Sequence, residues 1–279
     1  MFIIAILKAA ALGVVEGITE FLPISSTGHM IIADQFLKLP GGVQFTDAFE
    51  VIIQGGAILA VVFLFFDRLW PFSGTAEERK GKWILWAKVV VAFLPAAVIG
   101  FLSDKMIEKY LFNPVSVAVA LAGWGAVIII LETIWKNRTD WKVTDVAKTS
   151  FGIALAIGCF QCLSLVPGTS RSAATILGAM VLGLSRPAAA EFSFFLAIPT
   201  MFGATVFKLH SFSKEGLHFG GSEMILLATG FIVSFIVAVF VIRLFIGFLK
   251  KHDFRPFGWY RIALGALVLV LLVGLRIGG

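Results

Sequence analysis

Charge is scarce in this chain. Only 14% of its 279 residues are Asp, Glu, Lys or Arg, against 59% hydrophobic, and the mean hydropathy is +0.96. That balance excludes a soluble globular domain, whose surface needs far more polar cover. It predicts an all-α polytopic protein whose partner is the lipid bilayer, with one compact membrane domain over 1–279. Cysteine is nearly absent. Cys159 and Cys162 lack the second pair that a structural zinc site needs, and nothing thioredoxin-like surrounds them. They are expected as small buried residues. The first residues carry no basic stretch and no clear small-residue cleavage site, so the N-terminus is expected to belong to the mature protein. A concentrated basic surface is missing too. The formal net charge is +6, but Lys and Arg lie in short loops between apolar runs. That excludes a nucleic-acid groove and points to topology signals and anionic headgroups.

What the chain does have is apolar length. Residues 48–66, 83–102, 115–135, 189–209, 224–249 and 258–277 are the six predicted spans. Trp70, Trp83, Trp86, Trp135, Trp141 and Trp259 fall near their ends, as interfacial anchors do. Two other regions, 2–37 and 150–184, each have two apolar arms around a polar break. Their second arms, 24–37 and 173–184, are too short to span, which predicts two re-entrant helix–loop–helix hairpins.

The two breaks resemble one another. Pro23-Ile24-Ser25-Ser26-Thr27-Gly28 aligns with Pro167-Gly168-Thr169-Ser170-Arg171-Ser172 at a spacing of 144. Ala48-Phe49-Glu50 likewise resembles Ala189-Ala190-Glu191 at 141. Each half, 1–135 and 150–279, is then one hairpin plus three spans. Three is odd, so the halves are expected as inverted repeats whose hairpin tips enter from opposite faces and meet near the midplane. Loop charge sets the orientation. One face receives Arg68, Arg79, Lys80, Lys82, Lys136, Arg138, Lys142, Lys148, Arg186, Lys250, Lys251 and Arg255. The other receives Lys38, Lys105, Lys109, Lys208, Lys214 and Arg276. The richer face is expected in the cytoplasm, with both termini and the entrance of the first hairpin outside. If the first arms cross fully instead, the bias narrows to eleven against seven.

The tips hold the residues that can do chemistry. Glu16 and Glu20 are four apart and share a helix face. Two such carboxylates in an apolar helix are costly to bury idle; they can hold a divalent cation or divide acid and base roles. Ser25, Ser26 and Thr27 place hydroxyls beside them, and His29 adds a candidate base. His210, His218 and His252 fall in loops or near span ends and read as ordinary. Arg171 stays charged on burial and must face an anion. With Gly168, Thr169, Ser170 and Ser172 at a helix start, it describes a phosphate or diphosphate cradle, and an ion pair from Arg171 to Glu16 or Glu20 can coexist with that use. Glu50, Glu191 and Gln54 read as supports for the tips or as solvated helix ends; Arg243 and Arg261 read as snorkelling. Gly123, Gly125, Gly178 and Gly183 permit close packing within one chain or in a homodimer.

Residues 16–30, from Glu16-Gly17-Ile18-Thr19-Glu20 to Gly28-His29-Met30, resemble the first signature of the undecaprenyl-diphosphate phosphatase family of bacteria, the bacitracin-resistance type. Pro167-Gly168-Thr169-Ser170-Arg171-Ser172 with Ala174-Thr175 is similar to its second. The resemblance implies an inner-membrane enzyme that removes the terminal phosphate of undecaprenyl diphosphate and recycles the lipid carrier for envelope polymers. It also implies bacitracin resistance, a divalent cation (magnesium or calcium), inverted repeats and an outward-facing site. On that reading Glu16 and Glu20 hold the metal, and Arg171 stabilises the transferring phosphoryl group. Ser25, Thr27, Gly168, Thr169, Ser170 and Ser172 bind substrate oxygens. Ser26 attacks with His29 as its base and Glu20 orienting His29, with activated water or His29 itself as competitors. A transporter or flippase of the polyprenyl phosphate is the other reading, since inverted repeats with broken helices are a transporter architecture.

Overall fold

The computed structural model describes residues 2–111, 113–136, 138–214 and 219–275. They form helices throughout: α1 (Phe2–Thr19), α2 (Ser26–Phe36), α3 (Gly42–Leu64), the short α4 (Phe66–Leu69), α5 (Ala76–Leu111), α6 (Pro114–Ile134), α7 (Phe151–Gln161), α8 (Arg171–Val181), α9 (Arg186–Lys214), α10 (Gly221–Leu249) and α11 (Arg255–Leu275). Tight 3-10 turns occupy Val146–Lys148 and Cys162–Leu165. No strand is present among the described residues.

Six of these helices are long and apolar enough to cross a membrane: α1, α3, α5, α6, α9 and α10. The number agrees with expectation, but the membership differs. α1, expected as a hairpin arm, reaches spanning length with 18 residues. The expected span at 258–277 becomes α11, whose predicted end lies outside the described residues. Arg276 and His218 lie outside them as well.

Local chemistry explains the boundaries. α6 starts at Pro114, whose missing N–H costs nothing in a first turn, and Asn113 Oδ1 caps it by accepting from Ser116 N at 2.9 Å. Ser150 caps α7 by accepting from Ile153 N at 3.2 Å. Small residues then set the helix contacts. α1 lies against α10 and α7 against α5. A Cβ on Gly13 would stand 2.6 Å from Gly230 O, and one on Gly158 would stand 2.1 Å from Ala92 O. α6 and α11 pack the same way: a Cβ on Gly125 would meet Gly258 O at 2.7 Å, and one on Gly265 would meet Ala118 O at 2.8 Å. Gly125 is therefore used within the chain. So is Gly178, which lies against Phe160, whereas Gly123 faces open space.

A buried phenylalanine cluster sits beneath the first break. Phe21 is fully buried and meets Phe194 of α9 edge-on at 5.3 Å. It pins the residues after α1 to α9, and Glu20 with them. A largely buried ion pair braces the richly charged end. Glu132 of α6 accepts from Arg186 at the start of α9 and from Phe254 N. Trp135, expected at the interface, is instead buried beside Trp141. Glu191 pairs with Arg68 near this end, away from the tips.

Candidate active site

Each break ends in a serine with the same unusual backbone. Ser25 has φ 71° and ψ 102°; Ser170 has φ 73° and ψ 120°. Among the described residues they alone, glycines aside, have positive φ. Such conformations cost about 1–3 kcal/mol each and gather at functional sites. Each serine also caps the helix it begins: Ser25 Oγ accepts from Gly28 N at 3.4 Å, Ser170 Oγ from Ala173 N at 3.3 Å. The geometry therefore equates Ser25 with Ser170, one residue off the sequence alignment, which paired Ser26 with Ser170. The first-turn amides of α2 and α8, at Ser26, Thr27, Arg171 and Ser172, have no acceptor within their own helix by position alone. Two helix N-termini open on one region, and each favours an anion.

The tips are tied together by their own polar atoms. Ser172 donates to Leu22 O at 2.9 Å and lies within 2.9 Å of Ser170 Oγ. Ser172, Thr169 and Ser25 are buried. The hydroxyls of Ser25, Ser170 and Ser172, expected on substrate, are thus engaged in holding the breaks in shape. Gly168 has φ +91°, and a Cβ there would stand 2.5 Å from Val117 O. Only glycine fits both the turn and the approach.

The largest tie was invisible in the sequence. Arg261 of α11 is completely buried rather than snorkelling. Its Nη2 donates to Gly168 O at 2.7 Å and Thr169 O at 3.0 Å, and its Nη1 donates to Pro23 O at 3.1 Å. Nε reaches Leu121 O at 3.4 Å. One guanidinium therefore clamps both breaks and α6.

Glu20 is the hub of the reactive groups. Its Oε2 accepts from Ser26 Oγ at 2.7 Å, and its Oε1 from Arg171 Nη2 at 3.3 Å. Both side chains of the ion pair are about nine-tenths buried. Arg171 also donates to Ser193 O of α9 at 3.0 Å, which fixes its fork, while its Nε has no partner. Glu16 is buried behind Glu20, with its Oε1 unpartnered. Glu50 of α3 is hydrogen-bonded to Asp34 of α2 and faces Glu16.

His29 is turned elsewhere. Its Nδ1 lies 2.7 Å from Ser25 O, so that nitrogen carries the proton and donates. Its Nε2 lies 2.6 Å from the Tyr260 hydroxyl. The expected Ser26–His29 and Glu20–His29 contacts are not made; Ser26 is paired with Glu20. Burial holds the His29 imidazole below its ordinary value, the Ser25 carbonyl opposes this, and the Arg261 charge adds to it.

The carboxylates also bear on the expected metal. Among the described residues no group of three or more His, Cys, Asp or Glu has metal-binding geometry. Two carboxylates remain, Glu16 and Glu20, and the orphaned buried oxygen of Glu16 is an acceptor lacking a donor. That donor set fits a hard divalent cation completed by phosphate oxygens and water.

A multi-pass helical membrane protein with an ionic site enclosed between two helix breaks is the class these observations define. The chain belongs to the family described as bacitracin resistance protein BacA, which it matches over residues 9–267. It is 51% identical over 268 residues to undecaprenyl-diphosphatase 1 of Oenococcus oeni, covering 95% of this chain and 96% of the relative. It is 50% identical to the undecaprenyl-diphosphatase of Lacticaseibacillus casei, covering 96% and 98%. The undecaprenyl-diphosphatase of Enterococcus faecalis is 50% identical over 264 residues, covering 94% and 95%.

Proposed function

We propose that this protein is a membrane phosphatase that hydrolyses undecaprenyl diphosphate to undecaprenyl phosphate and inorganic phosphate. It would thereby recycle the lipid carrier for cell-wall synthesis and confer resistance to bacitracin. The observation that carries this reading is Glu20, which joins a hydroxyl, Ser26, to a fixed cation, Arg171, inside an apolar fold. A carrier needs groups that bind phosphate; it has no need of a carboxylate hydrogen-bonded to a hydroxyl.

The Ser26 oxygen attacks the terminal phosphorus as its proton passes to Glu20 Oε2. The anhydride P–O bond breaks and undecaprenyl phosphate leaves. Water then cleaves the phosphoserine. Arg171 and the amides of the two helix starts meet the charge on the phosphoryl oxygens. His29 positions the first tip through Ser25 and Tyr260. Glu16, with Glu20 beside it, would hold magnesium or calcium, which when bound neutralises phosphate charge.

The architecture we infer is two inverted repeats, 1–135 and 150–279, each opening with a re-entrant hairpin. The contact pattern supports it: α1 on α10 repeats as α7 on α5, and the Gly125–Gly258 approach repeats as Gly265–Ala118. Each hairpin also closes on itself. Lys8 donates to Lys38 O beyond α2, and Val143 pairs with Leu184 beyond α8. Arg68, Lys88, Glu132 and Arg186 gather at the end where α7 begins and α8 finishes. With the loop-charge bias, this supports an orientation with that end in the cytoplasm and the first hairpin's mouth outside the inner membrane. For a homodimer we infer the face around Gly123, where an added Cβ would meet nothing within 4 Å.

Phosphate release from undecaprenyl diphosphate by the purified protein tests the reading, with and without chelator. Wild type should release phosphate in a metal-dependent manner and Arg171→Ala should not. A wild-type protein that binds the lipid but releases nothing would make it a carrier.

A further inference from the structure

A line of carboxyl groups runs from the mouth of the first hairpin toward the candidate active site. Asp47 and Glu50 lie three apart near the start of α3 and share one face of that helix. Asp34 of α2 is hydrogen-bonded to Glu50, and Asp47 is near enough to repel both. Glu50 in turn faces Glu16 of α1, and Glu16 lies against Glu20. α1 packs on both α2 and α3, so the acids of three helices meet along one seam. Exposure falls along it. Asp47 is exposed, Asp34 and Glu50 are half-buried, and Glu16 is only 1% exposed.

No basic side chain balances the middle of this line. The charges that act on Asp34 and Glu50 are those of other acids, and Lys38, just beyond α2, is not paired with Asp34. Two carboxyl groups in contact inside an apolar fold need a positive charge between them. Glu16 carries the same deficit one step further in. Its buried Oε1 is an acceptor without a donor, on a side chain that faces both Glu50 and Glu20. Among the described residues no three such ligands gather closely enough to retain a metal ion. Successive pairs of carboxylates suit a cation in passage instead, which each step must hold weakly enough to release.

We propose that Asp47, Asp34 and Glu50 form an entry route along which a hard divalent cation passes from the hairpin mouth to Glu16 and Glu20. This rests on the metal assigned to those two glutamates above. Asp47 attracts the cation at the exposed end. The Asp34–Glu50 pair receives it from there, and the free oxygen of Glu16 draws it on toward Glu20. A path made only of carboxylate oxygens favours magnesium or calcium over softer ions. Groups on a path lower the barrier to exchange without ligating the ion at its end. They therefore set how fast the cation arrives and leaves, and Glu16 and Glu20 set how tightly it is kept.

The test uses calcium alone on the purified full chain, with no substrate present. Release from the calcium-loaded protein is followed by stopped-flow with a fluorescent chelator, and Kd by equilibrium dialysis; the release rate divided by Kd gives the uptake rate. Glu50→Gln and Asp34→Asn should each slow release and uptake together, about tenfold, while Kd shifts by less than about threefold. Asp47→Asn, exposed and harmless to the core, should slow both by a smaller factor and keeps the test open if a buried variant fails to fold. Glu20→Gln should instead lose affinity. Unchanged rates in Glu50→Gln and Asp34→Asn overturn the route. A loss of affinity through faster release, with uptake unchanged, also overturns it, because the residues would then be ligands and not a path. A wild-type protein that binds no calcium overturns it as well. Phosphate release from undecaprenyl diphosphate by variants whose exchange rates match wild type sinks the route alone. Coupled slowing of uptake and release in a protein that frees no phosphate upholds the route and sinks the phosphatase reading alone.

Discussion

Arg171 and Glu20 form an ion pair across 151 residues of chain, at 3.3 Å, with both side chains nearly buried. The pair is the point where the two halves of the sequence share one chemistry.

Breaking it from either side has distinct consequences. Arg171→Lys keeps the charge but loses the fork that reaches Glu20 and Ser193 O together. Turnover should fall by about 10²–10³, the range for removing one transition-state donor. Near-normal turnover would remove Arg171 from the reaction. Glu20→Gln should fold, lose activity and lose its metal response; an unchanged response would end the assignment of Glu20 to metal and base.

Arg261 governs the shape of the site. Arg261→Met leaves the carbonyls of Pro23, Gly168 and Thr169 without their donor. Each unsatisfied buried group costs about 1–3 kcal/mol. The detergent-solubilised variant should unfold several degrees earlier. Arg261→Lys should recover part of the Tm. Equal stability of all three proteins would show that the clamp is idle.

His29 makes stability depend on pH. Its folded-state value is lowered, chiefly by burial, so the unfolded chain takes up the proton more readily. Stability should fall as pH drops below the ordinary imidazole value of about 6.5, and the loss should shrink in His29→Gln. Tyr260→Phe removes the contact to Nε2 and should weaken the low-pH sensitivity. Thermal melts of the three proteins between pH 7 and 5 measure this.

Two glycine substitutions should behave in opposite ways. Gly158→Leu drives a side chain into Ala92 O and should abolish folded yield. At Gly123 an added Cβ has nothing within 4 Å, so Gly123→Leu should leave the fold intact. If Gly123→Leu also turns a dimer into a monomer on size exclusion, that face is the subunit contact.

The sequence made the tips readable because polar groups inside apolar runs are costly and therefore conspicuous. Glu16, Glu20, Ser26 and Arg171 do converge there. Arg261 escaped because a span taken to begin at residue 258 leaves it at the surface. α11 begins at Arg255, which sets Arg261 nearly two turns inside. Tyr260 escaped with it. The roles of Ser25, Ser170 and Ser172 were hidden for another reason: a hydroxyl that caps a helix and one that binds phosphate look alike in sequence. The unusual backbone of Ser25 and Ser170 had no signal either, since glycine is the residue that normally marks positive φ.

The seam between α6 and α11 restricts how this molecule can move. Gly125 rests on Gly258 and Gly265 on Ala118, so backbone touches backbone in two places. A slip along that seam would push side chains into carbonyl oxygens. Alternating access by rocking halves needs a joint with two settings, and these backbone contacts oppose a second. Ligand entry and exit then fall to side chains and the short helices α2 and α8, working against a fixed frame. A lipid that arrives and departs on the same side of the membrane asks for nothing more.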